Sequence, residues 1–308
     1  MSHVKDVLTR LKGGAITAQE AGAEIRRIDD GVSDGVSPLA ATHKRMAASL
    51  PDRADDTTFL EVTAAWIGGD LTDEDCWTIY GAVTGTRKGT PMKLTTAQHD
   101  RAAGVLLATA AGDALGVPYE FATPPPPGVE AAMTGGGLGN FAPGEWSDDT
   151  SMAIAIARVT ATGADLTTAG ALYRIAEGFL EWHRSNPPDV GIQTSSVLQS
   201  TRTRLTGGAE RAGRVMAEEA AGYSAARSHS AGNGALMRTA PVALAHLDDR
   251  GRLAQAARAV AELTHGDPLA GDSCVLWCEA IRVAVLEGRF AVTAGLDLLP
   301  GERRDAWQ

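Results

Sequence analysis

From Thr96 onward, apolar residues recur three and four positions apart, and no stretch alternates strictly between apolar and polar residues. That feature removes most architectures, because a half-buried strand needs a period of two and a helix face a period of about 3.6. The periodic segments run over residues 96–115, 150–161, 167–184, 194–205, 210–221, 235–245, 250–263 and 268–286. The fold class is therefore expected to be all-α, a compact multi-helix domain, and βαβ units are disfavoured. Aromatic residues make up only 5% of the chain and glycine is abundant, which favours closely approaching helices over a sandwich built on Val, Tyr and Thr.

The first ninety or so residues differ in kind. All five lysines lie at or before Lys93, whereas the rest of the chain carries seventeen arginines and no lysine. A boundary is expected there, dividing a small helical accessory module over residues 1–94 from a domain over residues 95–308. Within the module, helical spacing occurs at 4–11, 17–28, 38–50, 57–67 and 71–83. Thr17 followed by Glu20 has the spacing of a capping box. Asp70, Asp73, Glu74 and Asp75 read as a solvated helix start, so the module carries no catalytic constellation.

A net charge of −10 and a pI near 5.2 argue against an extended nucleic-acid surface, since wrapping a polyanion requires Lys and Arg to neutralise phosphates. A small anionic ligand stays possible where backbone N–H groups, arginine or metal offset its charge locally. The stretch MSHVKDVLTRLKGG has no apolar core of signal-peptide length, and the longest nearly apolar run, residues 102–112, is too short to span a bilayer. No membrane partner is expected, and the protein reads as cytoplasmic. Cys76, Cys274 and Cys278 are odd in number and lack CxxC spacing, so Cys274 and Cys278 read as core residues on one helix face.

Chemistry concentrates in the loops. In GEWSDDTSMAIAIA, Asp148 and Asp149 stand between Ser147 and Thr150 immediately before a helical segment. Two readings are open: a helix cap with acids in its first turn, or a cluster of hard oxygen ligands for Mg²⁺. In GDALGVPYEF, Asp113 sits unfavourably at a helix C-terminus and Glu120 follows in the loop. Both acids could simply be solvated, or nearby helix carbonyls could raise the pKa of Glu120 and suit it to proton transfer. The glycines of GGGLGNFAPGEW lack the preceding strand of a dinucleotide fingerprint, so a flexible substrate-facing loop is expected instead. DVGIQTSSVL places Gly191 and Thr194 at a helix N-terminus, and HSAGNGALMRTAP is expected to do the same with Gly232, Asn233 and Gly234. Such ends offer free N–H groups to phosphates, or are ordinary turns and caps. LTHGDP places His265 and Asp267 before Pro268 at another helix start.

The order GDALGVPYEF, WSDDTSMA, DVGIQT, GNGALMR, THGDP on an all-helical chain resembles the ADP-ribosylglycohydrolase family, from about Thr96 to the C-terminus. The resemblance implies a compact all-α domain with two Mg²⁺ ions in a central cleft, which removes ADP-ribose from modified protein side chains or related small conjugates. It implies that Ser147, Asp148 and Asp149 are metal ligands and that Glu120, Asp148 and Asp149 serve catalysis. It also implies a substrate-binding set of Asp113, Gly191, Ser230, Gly232, Asn233, Gly234 and His265.

Family members supply the other half of the metal site from a later DxDT-type motif, which this sequence lacks. After Asp272 the acids are Glu279, Glu287, Asp297, Glu302 and Asp305, none with that spacing. The domain is thus expected to be C-terminally incomplete, with metal binding weak unless a complementing segment or chain supplies ligands. Pro300 and Glu302 launch a last helix too short to be stable unaided. A hydrolase needing completion, a truncated or degenerate ADP-ribose binder, and an unrelated all-α hydrolase or interaction protein all remain open.

Overall fold

A computed structural model describes residues 3–31, 92–122, 126–205 and 212–307. The chain divides into two units, one of Met1–Lys93 with Thr162–Asp165, the other of Leu94–Ala161 with Leu166–Gln308. The helices expected over 38–50, 57–67 and 71–83 and the acids at 70–75 lie outside the described residues, as does Cys76. Eleven α-helices and no strand occur among the described residues.

In the first unit, α1 (His3–Lys12) and α2 (Ala18–Gly31) bury Val7, Leu8, Ala21 and Ile25. The capping box forms: Thr17 N donates to Glu20 at 2.8 Å, and Glu20 N donates to Thr17 Oγ1 at 3.2 Å. Arg10 pairs with Glu24 at 2.8 Å across the two helices.

The second unit contains α3 (Thr96–Gly116), α4 (Asp148–Thr160), α5 (Ala169–Arg184), α6 (Ile192–Arg204), α7 (Ala212–Ala225), α8 (Ala240–Ala245), α9 (Arg250–Ala261), α10 (Pro268–Glu287) and α11 (Gly301–Arg304). Helix α10 packs against α9, α8 and α3, while α5 joins α4 to α7. Cys274 and Cys278 are buried on α10 and unbridged, as the core reading required. The ends of α10 are secured by polar groups: Asp267 accepts from Leu269 N at one end, and Arg101 Nε donates to Val285 O at 2.8 Å at the other.

Two acids on α10 are fully buried, and arginines from α10 itself and from other segments satisfy them. Glu279 accepts from Arg250 and Arg282, each at 2.8 Å. Asp272 accepts from Arg258 and, at 2.6 Å, from Arg303 of α11. The four-residue α11, too short to persist by its own hydrogen bonds, is held by that buried pair.

The segment 235–245 departs from expectation. Only Ala240–Ala245 is helical, and residues 233–238 form turns. Pro241 lies in the first turn of α8, where its missing N–H costs nothing; a helix continuing through it would set its ring against the carbonyl of Met237.

Helix α3 is longer than its apolar run implied. Thr96–Tyr119, which contains the run 102–112, forms a 24-residue stretch long and apolar enough, by length and composition alone, to cross a membrane. Its C-terminal end is nonetheless bonded into the domain: Asp113 and Ala114 are buried there, while Leu107 is 71% exposed.

Candidate active site

The site begins where α3 ends. Asp113 lies in the last turn of α3, a poor place for a negative charge, since the carbonyl end of the dipole faces it. Its carboxylate instead reaches the N-terminus of α4. It accepts from Ser147 N at 3.0 Å, Ser147 Oγ at 2.7 Å and Thr150 N at 2.9 Å. Ser147 occupies the N-cap position but its own side chain makes no capping bond. The cap is therefore supplied from another helix, and neither Asp148 nor Asp149 is needed for it. Side-chain capping of α4 thus falls to Asp113, while Asp148 and Asp149 stand as acids in its first turn, Asp148 Oδ1 accepting from Ser147 Oγ at 3.4 Å.

What surrounds them is negative. Burial pushes the Asp149 carboxyl up to about 7, reinforced by the charges of Asp113, Asp148 and Glu120. Burial also raises Asp148, with Asp189 adding to it and the Gly191 N–H opposing it. Glu120 follows the short 3₁₀ turn Val117–Tyr119; burial raises its carboxyl, and Asp189 and Asp148 raise it further. No ion pair among the described residues involves any of these five acids. Thr150 Oγ1 is buried among them without a hydrogen-bond partner.

The donor set of Ser147, Asp148 and Asp149 therefore suits a hard divalent cation, which would offset the unbalanced charge. The set is also small. Among the described residues no group of three or more His, Cys, Asp or Glu side chains is placed to hold one ion.

Asp189 was not singled out by its sequence. It stands in the same loop as Gly191, and an acid held by Pro187 and Pro188 two residues before a helix-start glycine was the available signal.

Glycine has a specific use in the loop over 135–144. At Gly137, φ is +63° and a Cβ would overlap the carbonyl of Val117, so the loop lies directly on the turn that carries Glu120. Within the loop an isolated antiparallel bridge joins Gly136 and Phe141.

The remaining candidates gather around His265, which is 2% exposed. A Cβ on Gly234 would fall 2.8 Å from His265 Cε1 and 3.4 Å from Thr194 Oγ1, so only glycine lets this turn lie on the imidazole and on the start of α6. Gly232 approaches His265 Nε2 as well, and Gln193 Nε2 donates to Thr264 O at 3.1 Å, joining α6 to the same loop. The structure thus brings Gly191, Thr194, Gly232, Gly234 and His265 together. Residues around Asn233 form turns and not the expected helix start, so no helix dipole acts there; the Asn233 carbonyl accepts from Met237 N at 3.0 Å. Ser230 Oγ is engaged elsewhere, donating to Asp267 at 3.1 Å.

Residues 94–308 match the profile of a family described as ADP-ribosylglycohydrolase. An ADP-ribosyl-[dinitrogen reductase] glycohydrolase of Rhodospirillum rubrum is 36% identical over 181 residues, covering 58% of this chain and 55% of that protein. An ADP-ribosylarginine hydrolase Tri1 of Pseudomonas putida (strain GB-1) is 34% identical over 146 residues, 47% of this chain and 36% of that one. A solved structure described as an ADP-ribosylglycohydrolase-related protein complex aligns with a TM-score of 0.45 at 29% identity, covering 62% of this chain and 58% of the other. The chain spans about half, or less, of the length of these curated relatives.

Proposed function

We propose, on the premise that this chain belongs to the ADP-ribosylglycohydrolase family, that it hydrolyses the bond joining ADP-ribose to a modified protein side chain, in a reaction dependent on Mg²⁺. The observation that carries this reading is the freeing of Asp148 and Asp149 from capping by Asp113, beside Glu120 and Asp189. Such a concentration of acids is useful only where a cation or a developing positive charge is to be met.

With an ADP-ribosylated arginine as substrate, the oxygen of water bonds to the ribose anomeric carbon, the carbon–nitrogen bond breaks, and the released guanidino nitrogen takes a proton. The anomeric carbon gains positive character as that bond stretches, and the carboxylates facing it stabilise the charge. Glu120, whose carboxyl is raised by burial and by the charges of Asp189 and Asp148, is suited to hold and transfer the proton. Asp113 acts as a positioning residue, its oxygens already occupied by Ser147 and Thr150. The N–H groups opening α6 and the turn of Gly232, Asn233 and Gly234 hold the diphosphate and ribose against His265. Ser147, Asp148 and Asp149 would hold Mg²⁺, which would supply charge compensation at the reacting centre.

One observation favours a second reading. With no three acidic or imidazole side chains placed together for one ion among the described residues, that reading makes the chain a degenerate, non-catalytic ADP-ribose binder.

The test is release of ADP-ribose from a protein modified on arginine, with Mg²⁺, beside Asp148→Ala/Asp149→Ala. Release by the parent reduced at least about a hundredfold in the double variant supports hydrolysis. Equal release by both proteins refutes the site. Saturable ADP-ribose binding with no release selects the second reading.

A further inference from the structure

Arg238 is the largest fully buried side chain among the described residues, and no carboxylate among them hydrogen-bonds to it, although the charge of Asp148 reaches it. Its guanidinium lies over the Phe179 ring at 4.4 Å, one nitrogen faces Met152 Sδ at 3.5 Å, and its Nε–H is unpaired. A buried cation with no directly bonded carboxylate is costly, so its one strong hydrogen bond asks for an explanation. That bond runs from Arg238 Nη2 to Thr264 Oγ1 at 2.6 Å. Thr264 is itself fully buried, and its Oγ1 lies 2.8 Å from His265 Nδ1.

Hydrogen counting settles the direction of the second contact. Arginine can only donate, so Thr264 Oγ1 accepts from Arg238 and keeps one hydrogen to place. Among the described residues, His265 Nδ1 is the acceptor within reach of that hydroxyl. Were Nδ1 protonated, the hydroxyl hydrogen would be stranded in a dry interior, at the desolvation cost of an unmade bond. We propose that Arg238 and Thr264 form a relay of donors that fixes His265 as a neutral imidazole with its proton on Nε2, directed at the turn Gly232–Gly234, where it donates to an anionic oxygen of the bound ligand.

Three further facts agree. His265 Nε2 makes no hydrogen bond among the described residues, and it lies 3.1 Å from the position a Cβ on Gly234 would take. Burial and then the charge of Arg238 hold the imidazole down to about 3, so it stays neutral through the physiological range. A neutral donor also suits a ligand anion that must later leave, since a full imidazolium would bind it more tightly. Arg238 and Thr264 are thus positioning residues acting through His265. The identity of the ligand rests on the function proposed above, whereas the tautomer does not.

The test uses the full ¹⁵N-labelled chain without ligand, reading the imidazole nitrogens by two-bond ¹H–¹⁵N correlation, with His265→Gln to assign the signal. The expected result is an Nε2-protonated His265 in the parent and in Thr264→Ser, and a mixture of tautomers in Thr264→Val. Thr264→Ala, which removes the hydroxyl with no added bulk, is read in the same way where Thr264→Val does not fold. Calorimetric titration with ADP-ribose should show affinity about tenfold weaker in the hydroxyl-free variant, and within about twofold of the parent in Thr264→Ser. A parent His265 protonated on Nδ1, or a tautomer unchanged by loss of the hydroxyl, overturns the relay. An Nε2-protonated parent that binds no ADP-ribose overturns the ligand assignment and the functional reading beneath it, while leaving the relay standing.

Discussion

Asp113 accepts the backbone N–H of Thr150 at 2.9 Å across 37 residues of chain. One helix thereby ends and another begins on a single carboxylate, so the two acids that follow Ser147 are not needed as side-chain caps. Replacing Asp113 by Ala strands the buried N–H groups of Ser147 and Thr150. The variant is expected to lose about 2–3 kcal/mol in urea unfolding, in the range of a lost cap and unpaired buried donors. A loss below about 0.5 kcal/mol would mean that Asp113 does not hold α4.

Asp149 should make stability depend on pH and on metal. Its carboxyl ordinarily titrates at 3.8 and is raised to about 7 in the folded chain by burial and by neighbouring acids. Stability from this group is therefore full below 3.8 and is lost as pH rises through about 7. Asp149→Asn is expected to melt above the parent at pH 8 in metal-free buffer by about 1–3 kcal/mol equivalent, with the gap closing at pH 4. Mg²⁺ should raise the parent's melting temperature at pH 8 and have little effect at pH 4; equal shifts at both would remove the cation from this site.

Asp189 contributes to raising both Glu120 and Asp148. Asp189→Asn removes that charge, so both carboxyls should titrate lower. The acidic limb of the rate of ADP-ribose release is expected to move to lower pH, with the maximum rate reduced about tenfold to a hundredfold. An unmoved limb would place Asp189 outside the reacting group.

Arg303 is predicted to stabilise the domain through Asp272. Burial alone would raise this carboxyl, but hydrogen bonds from Arg303 and Arg258 hold it below its ordinary range. Its stabilising contribution is present above the unfolded value and is lost as pH falls through the lower folded value. Arg303→Ala should cost about 1.5–3 kcal/mol at pH 7, as for a hydrogen bond to a buried charge, and should bring acid unfolding to higher pH. Urea curves for parent and variant at pH 7 and pH 4 provide the check.

How far the sequence could be read depended on how far apart the interacting residues lie. The period of the apolar positions is a local property, and helices over 96–116, 148–160 and 268–287 follow it closely. The paired acids at 148–149 and the glycines beside His265 were equally visible, because their spacing itself carries information. The cap from Asp113, 34 residues from Ser147, could not be seen, and neither could the bond from Arg238 to Thr264, 26 residues on. Such contacts depend on how helices pack, which periodicity does not encode. The overlong helix expected at 235–245 has a different cause: its apolar pattern continues past Pro241, whereas the backbone cannot.

The contact between Gly137 and Val117 bears on which sequences this domain can explore. Backbone meets backbone there, at a left-handed φ of +63°, so a bulkier neighbour cannot be trimmed elsewhere to make room for a side chain. In a saturation library selected for folding, position 137 should return glycine almost alone, while the solvent-facing Leu138, 61% exposed, drifts freely. The turn bearing Glu120 would then inherit its placement from a residue that has no side chain to offer.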